Sequence, residues 1–132
     1  MVCIYCSGKT SVINSRSKKK LNQTWRRRLC PNCKAVFSTL EQPILSQTWS
    51  VKYPSGKITE FTREKLFLSI YESLKHRQSS IQDAKNLADT VIIRLRPIAK
   101  TGIIDSRVIR DVVIVSLSRF DKAASTHYDS FH

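Results

Sequence analysis

Four cysteines in two Cys-x-x-Cys pairs, Cys3-Ile4-Tyr5-Cys6 and Cys30-Pro31-Asn32-Cys33, are the residues of this chain best arranged for chemistry. Two residues between ligands let one tight turn set both thiolates on a single cation, so two such pairs match the layout of a tetrahedral four-thiolate zinc site. Gly8 and Pro31 suit knuckle turns, although Lys34 stands where many knuckles have glycine. Disulfides are the alternative, and they are disfavoured in a chain that lacks the apolar leader of a secreted protein. A thioredoxin-like redox pair explains one Cys-x-x-Cys but not two. Zinc deaminases also need His-x-Glu, and none of His76, His127 and His132 has Glu two residues on. One structural Zn2+ held by Cys3, Cys6, Cys30 and Cys33 is therefore expected, with no open position for catalytic water.

Elements must position those cysteines, and charge marks where they lie. The 132 residues hold 23 Lys and Arg against 10 Asp and Glu, a formal +13, and all four cysteines fall in the first 33 residues. Residues 1–50 carry nine basic residues and one acid, Glu41, so the excess concentrates beside the cysteines. A field of that sign favours polyanions, nucleic acid above all. The composition shift predicts two modules, 1–42 and 43–132, and a module of about 40 residues needs a staple such as a metal. No run reaches the roughly 20 apolar residues of a membrane span, so no membrane partner and a cytoplasmic location are expected.

Between the knuckles, Thr10–Ser15, Asn22–Leu29 and Lys34–Leu40 read as short antiparallel strands, a zinc ribbon with Lys18, Lys19 and Lys20 at the loop tip. Strand alternation sends Arg26 and Arg28 one way and Arg27 the other. An arginine fork can grip a phosphate or the guanine edge, and Arg16 and Trp25 share this scaffold, Trp25 being expected to pack. In the second module, Ser46–Tyr53 and Gly56–Phe61 read as a hairpin turning at Pro54-Ser55-Gly56. Helices follow: one capped by Thr62, one starting after Ser79 or Ser80, one capped by Asp105 or Ser106, and a short one after Asp121. Their apolar stripes include Ile70, Leu74, Ile81, Val91, Val113 and Phe120, and the run Val112–Val115 is expected to bury its helix on more than one side, in the core or at a subunit interface. The class is α+β: a small N-terminal zinc ribbon held by four cysteines, then a β-hairpin with a helical bundle. No Walker loop, nucleophile elbow or catalytic constellation appears, so an enzyme is not expected.

Together these residues resemble the NrdR family of bacterial transcriptional repressors, in which a zinc ribbon precedes an ATP-cone. The resemblance runs end to end and is most specific at Trp25-Arg26-Arg27-Arg28-Leu29-Cys30-Pro31-Asn32-Cys33, Phe37-Ser38-Thr39-Leu40-Glu41 and Phe61-Thr62-Arg63-Glu64-Lys65-Leu66. Asn14-Ser15-Arg16 and Phe120-Asp121-Lys122-Ala123-Ala124 are similar to further family segments. The resemblance implies a nucleoid-associated repressor of ribonucleotide reductase genes. It would bind a double-stranded DNA operator through Arg16, Lys18, Lys19, Lys20, Arg26, Arg27 and Arg28. A homo-oligomer switched by ATP and dATP is also implied, with the nucleotide held by Val51, Lys52, Gly56, Lys57, Glu60, Phe61 and Lys65. Where family cones read Val-x-Lys-Arg-Asp-Gly, this chain reads Val51-Lys52-Tyr53-Pro54-Ser55-Gly56, which removes positive charge from that segment. The alternative reading is a zinc-ribbon adaptor or nucleic-acid-binding protein whose degenerate cone serves only oligomerisation.

Overall fold

The computed structural model describes all residues, Met1–His132, and the chain forms two compact units, Met1–Pro43 and Ile44–His132. In the first, β1 (Ser11–Lys18), β2 (Gln23–Leu29) and β3 (Val36–Glu41) make an antiparallel sheet in the order β1-β2-β3. β-branched Val12, Ile13 and Thr24 suit a pleated surface. Pairing of Lys18 with Gln23 extends β1 beyond the expected end, so Lys18 is a strand residue and only Lys19 and Lys20 reach the turn. Asn22 closes that turn at φ +52°, where its amide donates to the Lys19 carbonyl at 3.1 Å. Only Cys3 and Cys30 of this unit are fully buried.

The second unit opens with a 3-10 turn, Leu45–Gln47, where a longer strand was expected; the Thr48 hydroxyl donates to the Ile44 carbonyl at 2.8 Å. This turn delivers Trp49 into the core, edge-on to Phe61 with ring centroids 5.4 Å apart. The following strand, β4 (Ser50–Lys52), lies between antiparallel β5 (Ile58–Glu60) and parallel β6 (Ile103–Asp105). Gly56 at φ +87° makes the β4–β5 turn, a conformation that a side chain would strain. Val51 and Ile104 pair on the buried face, while Lys52 beside Val51 is exposed.

Four helices complete the unit: α1 (Arg63–Leu74), α2 (Ser80–Leu95), α3 (Ser106–Phe120) and α4 (Lys122–Phe131). Ile70, Leu74, Val91, Leu95, Val113 and Leu117 fill the core, each fully enclosed. Thr62 holds the α1 cap position without a side-chain bond, and the Ser79 hydroxyl donates to Asp83 (2.6 Å) instead of capping through the backbone. Asp105 and Asp121 do cap, accepting from the amides of Arg107 and Ala124. Ile81 and Phe120 were expected in the core but are 62% and 42% exposed. Ile81 sits in the first turn of α2, and Phe120 ends α3 beneath the Arg77 guanidinium, 4.5 Å from its ring centroid. Val115 is likewise exposed, so within its own chain α3 is buried along one side only.

Arg77, between α1 and α2, ties Asp83 (3.0 Å) to Asp121 (3.2 Å), and His76 reaches Asp121 at 2.8 Å. His76, the Ala124 amide and Arg77 hold the Asp121 carboxyl down at about 2, opposed by its partial burial. A depressed folded-state pKa contributes stability above the unfolded value of about 3.9, lost as pH falls through about 2. Asp121→Asn keeps a capping side chain without the charge. Its melting temperature is expected to depend less on pH between about 4 and 2 than the parent's; an unchanged slope would remove Asp121 as the acid-labile link.

Candidate metal centre, basic sheet face and pocket

Each Cys-x-x-Cys turn is built the same way. The Cys3 amide donates to the Gly8 carbonyl at 2.8 Å and the Cys30 amide to Ala35 at 2.9 Å. Ser7 and Lys34, each following a second cysteine, return to Cys3 and Cys30 from the left-handed region at φ +62° and +64°. Lys34 thus adopts the conformation that glycine usually supplies. Gly8 serves another purpose, since a Cβ there would come within 3.3 Å of the Cys6 sulfur.

The turns bring all four sulfurs within 4.8 Å of one another. Cys3 lies 3.6 Å from Cys33 and Cys6 lies 3.5 Å from Cys30, too far for S–S bonds. A tetrahedron with Zn–S bonds of about 2.3 Å sets neighbouring sulfurs about 3.8 Å apart, so the cluster fits zinc. The surrounding donors fit anionic sulfur: Asn32 first and the Gly8 amide next lower the Cys6 thiol to about 6. The Cys6 and Tyr5 amides lower Cys3. At Cys33 the Ala35 amide favours thiolate, but the Cys3 sulfur and burial outweigh it and push the thiol to about 12. A cation removes that conflict.

Cross-strand partners in an antiparallel sheet share a face, so the register sorts the basic residues. Arg16, Trp25 and Leu40 align on one face, as do Asn14, Arg27 and Ser38, with Lys18 beside Gln23. Ser15, Arg26 and Thr39 align on the other, followed by Val12, Arg28 and Phe37. A bulge at Ile13 makes this arrangement. The first face carries Arg16, Lys18 and Arg27 with no acid, and Arg16 lies 5.9 Å over the half-buried Trp25 ring. On the second face Arg26 pairs with Glu41 at 2.9 Å and Arg28 donates to Thr39 at 3.4 Å. Arg27 is exposed, whereas Arg26 and Arg28 are half-buried. Trp25 therefore both packs and supports a cation.

The second unit contains a cavity of about 450 Å³. Val51, Glu60, Phe61 and Lys65 line it, but Lys52, Gly56 and Lys57 do not. β4 alternation turns Lys52 to the face opposite Val51, and the glycine turn carries Gly56 and Lys57 beyond the cavity. Tyr53 and Pro54 form part of the wall, and Arg107, Arg110, Tyr128 and His132 are lining residues that the sequence reading missed. The missed signal was two arginines three apart after a helix cap, which places both on one face of α3. Burial raises the Tyr128 phenol, with Ser69 opposing it; burial and Arg110 lower His132.

Four cysteines set to hold one metal ion on a small three-stranded sheet, followed by a separate unit with a ligand-sized cavity, define a two-unit zinc-ribbon protein. Residues 1–41 match the family model described as transcriptional repressor NrdR-like, N-terminal domain. Over its whole length the chain is 31% identical to a transcriptional repressor NrdR of Phenylobacterium zucineum, covering 84% of that protein. It is 32% identical to those of Nitrosospira multiformis and Rhodospirillum centenum, covering 82% and 85%. The chain belongs to the NrdR family of transcriptional repressors. None of its helices is long and apolar enough to cross a membrane.

Proposed function

We propose that residues 1–42 bind a double-stranded operator of ribonucleotide reductase genes, and that residues 43–132 sense ATP and dATP and set the homo-oligomeric state. The carrying observation is the acid-free face of Arg16, Lys18 and Arg27 beside Trp25. Zinc held by Cys3, Cys6, Cys30 and Cys33 fixes the turns that hold this sheet, and supplies no chemistry of its own. Guanidinium forks on a rigid strand suit phosphates and guanine edges, and paired ribbons in an oligomer would read repeated half-sites. Family resemblance supports the ribonucleotide reductase target and the choice of nucleotides. The cavity between the sheet and α1, α3 and α4 supports a small-molecule sensor.

Operator titrations at several salt concentrations test the DNA reading. Arg27→Ala is expected to weaken binding by about tenfold and to reduce the salt slope by about one. Arg26→Ala should cost less, since Glu41 already neutralises part of its charge. A larger loss from Arg26→Ala than from Arg27→Ala would put the operator on the other face. Calorimetry with ATP and dATP tests the sensor; absence of heat favours an adaptor with an oligomerising second unit.

A further inference from the structure

From the cavity wall we infer that the nucleotide's phosphates are gripped from α3, by Arg107 and Arg110, and that they take these arginines away from the carboxylates now paired with them. This rests on the nucleotide-sensing reading above. The cavity's cations are Lys65, Arg107 and Arg110, against one acid, Glu60. Neither lysine of the β4–β5 hairpin, Lys52 or Lys57, lines it, so the hairpin contributes aromatic Tyr53, apolar Pro54 and the acid Glu60 but no positive charge. A polyphosphate entering this space therefore finds its opposite charge on α1 and α3.

Both arginines are already occupied. Arg107 grips Asp105 through Nη2 at 2.8 Å and Nε at 3.1 Å. Arg110 pairs with Asp129 of α4 and lies 3.7 Å from Asp111. The pairs are solvent-exposed: side-chain exposure is 70% and 38% for Arg107 and Asp105, and 36% and 59% for Arg110 and Asp129. Magnitudes decide the competition. An exposed pair contributes at most about fivefold to an equilibrium, whereas charge-assisted hydrogen bonds to a ligand phosphate contribute about tenfold or more each. Phosphate wins. Releasing Arg107 leaves the Asp105 cap intact, because the Arg107 amide still donates to Asp105 at 2.8 Å. Releasing Arg110 breaks a tie between α3 and α4, so occupancy of the cavity is felt at α4, whose Tyr128, with His132 just after the helix, forms another wall. Partner exchange thus couples ligand charge to helix docking.

Calorimetry of the full, zinc-loaded chain with ATP and with adenosine tests this. Arg107→Ala and Arg110→Ala should each weaken ATP by about tenfold or more and leave adenosine within about twofold. Asp129→Asn, which frees Arg110 without entering the cavity, should tighten ATP by up to about fivefold. Lys85→Ala on α2, exposed and away from the cavity, controls for net charge, and circular dichroism checks that each variant is folded. ATP affinity within twofold of the parent in both arginine variants overturns the grip while leaving the cavity as the nucleotide site. Unchanged or weaker binding by Asp129→Asn overturns the exchange. No ATP binding by the parent overturns this inference and the sensor reading together.

Discussion

Zinc removal is expected to unfold residues 1–43 while the helices of residues 44–132 persist. The first unit buries no apolar side chain apart from Cys3 and Cys30, so without a metal there is no core to hold β1, β2 and β3 together. Structural zinc sites contribute about 10 to 16 kcal/mol of apparent binding free energy, more than the total stability of many small domains. Four sulfurs within 4.8 Å of one another repel strongly as thiolates, and a bound cation removes that repulsion. Trypsin provides the measurement. Holo protein should resist cleavage at Arg26, Arg27 and Arg28 in the central strand, and chelator-treated protein should lose residues 1–43 but keep a helical fragment. Protection of that strand after the metal is gone would show that the sheet does not depend on it.

Leu117→Ala should carry the second-largest cost, and it acts on the other unit. Leu117 is fully enclosed on α3 among core residues that include Ala124 and Val113. Removing its three outer carbons loses transfer free energy and leaves a cavity, about 2 to 5 kcal/mol in all. A unit of this size has only about 5 to 13 kcal/mol to lose, at roughly 0.05 to 0.15 kcal/mol per residue. With about 4 to 8 °C per kcal/mol for small domains, the helical transition should fall by about 10 °C or more. Val115→Ala, two residues away but 45% exposed, should move it by only a few degrees. Equal shifts from both variants would mean that α3 packs on a different face.

Much of this architecture is legible in the sequence, because its causes are local. Two residues between cysteines leave each knuckle turn few conformations, and repeated apolar residues at helical spacing make the stripes of Ile70, Leu74, Val91 and Val113 visible. Ile81 and Phe120 show where that reading fails. They continue a stripe by spacing, yet each lies at a helix end where the neighbouring helix no longer covers it. Thr62 and Ser79 occupy cap positions by type, but only Asp105 and Asp121 direct an oxygen at a helix amide. Capping depends on a side-chain rotamer that sequence does not specify.

By itself, the sequence determined that a cation must staple the first unit, that positive charge gathers there, and that the rest is a small sheet with helices. Each follows from spacing or composition along a few consecutive residues. Tertiary structure alone decided which basic residues share a face of the sheet. Without the bulge at Ile13, Arg16 would face Thr24 and join Arg26 and Arg28; with it, Arg16 lies over Trp25 on the side of Arg27. One extra residue in a strand moves every later side chain to the opposite face. The cavity is decided in the same way, because Lys65 and Arg110 meet only when α1 and α3 are brought together, 45 residues apart in the chain.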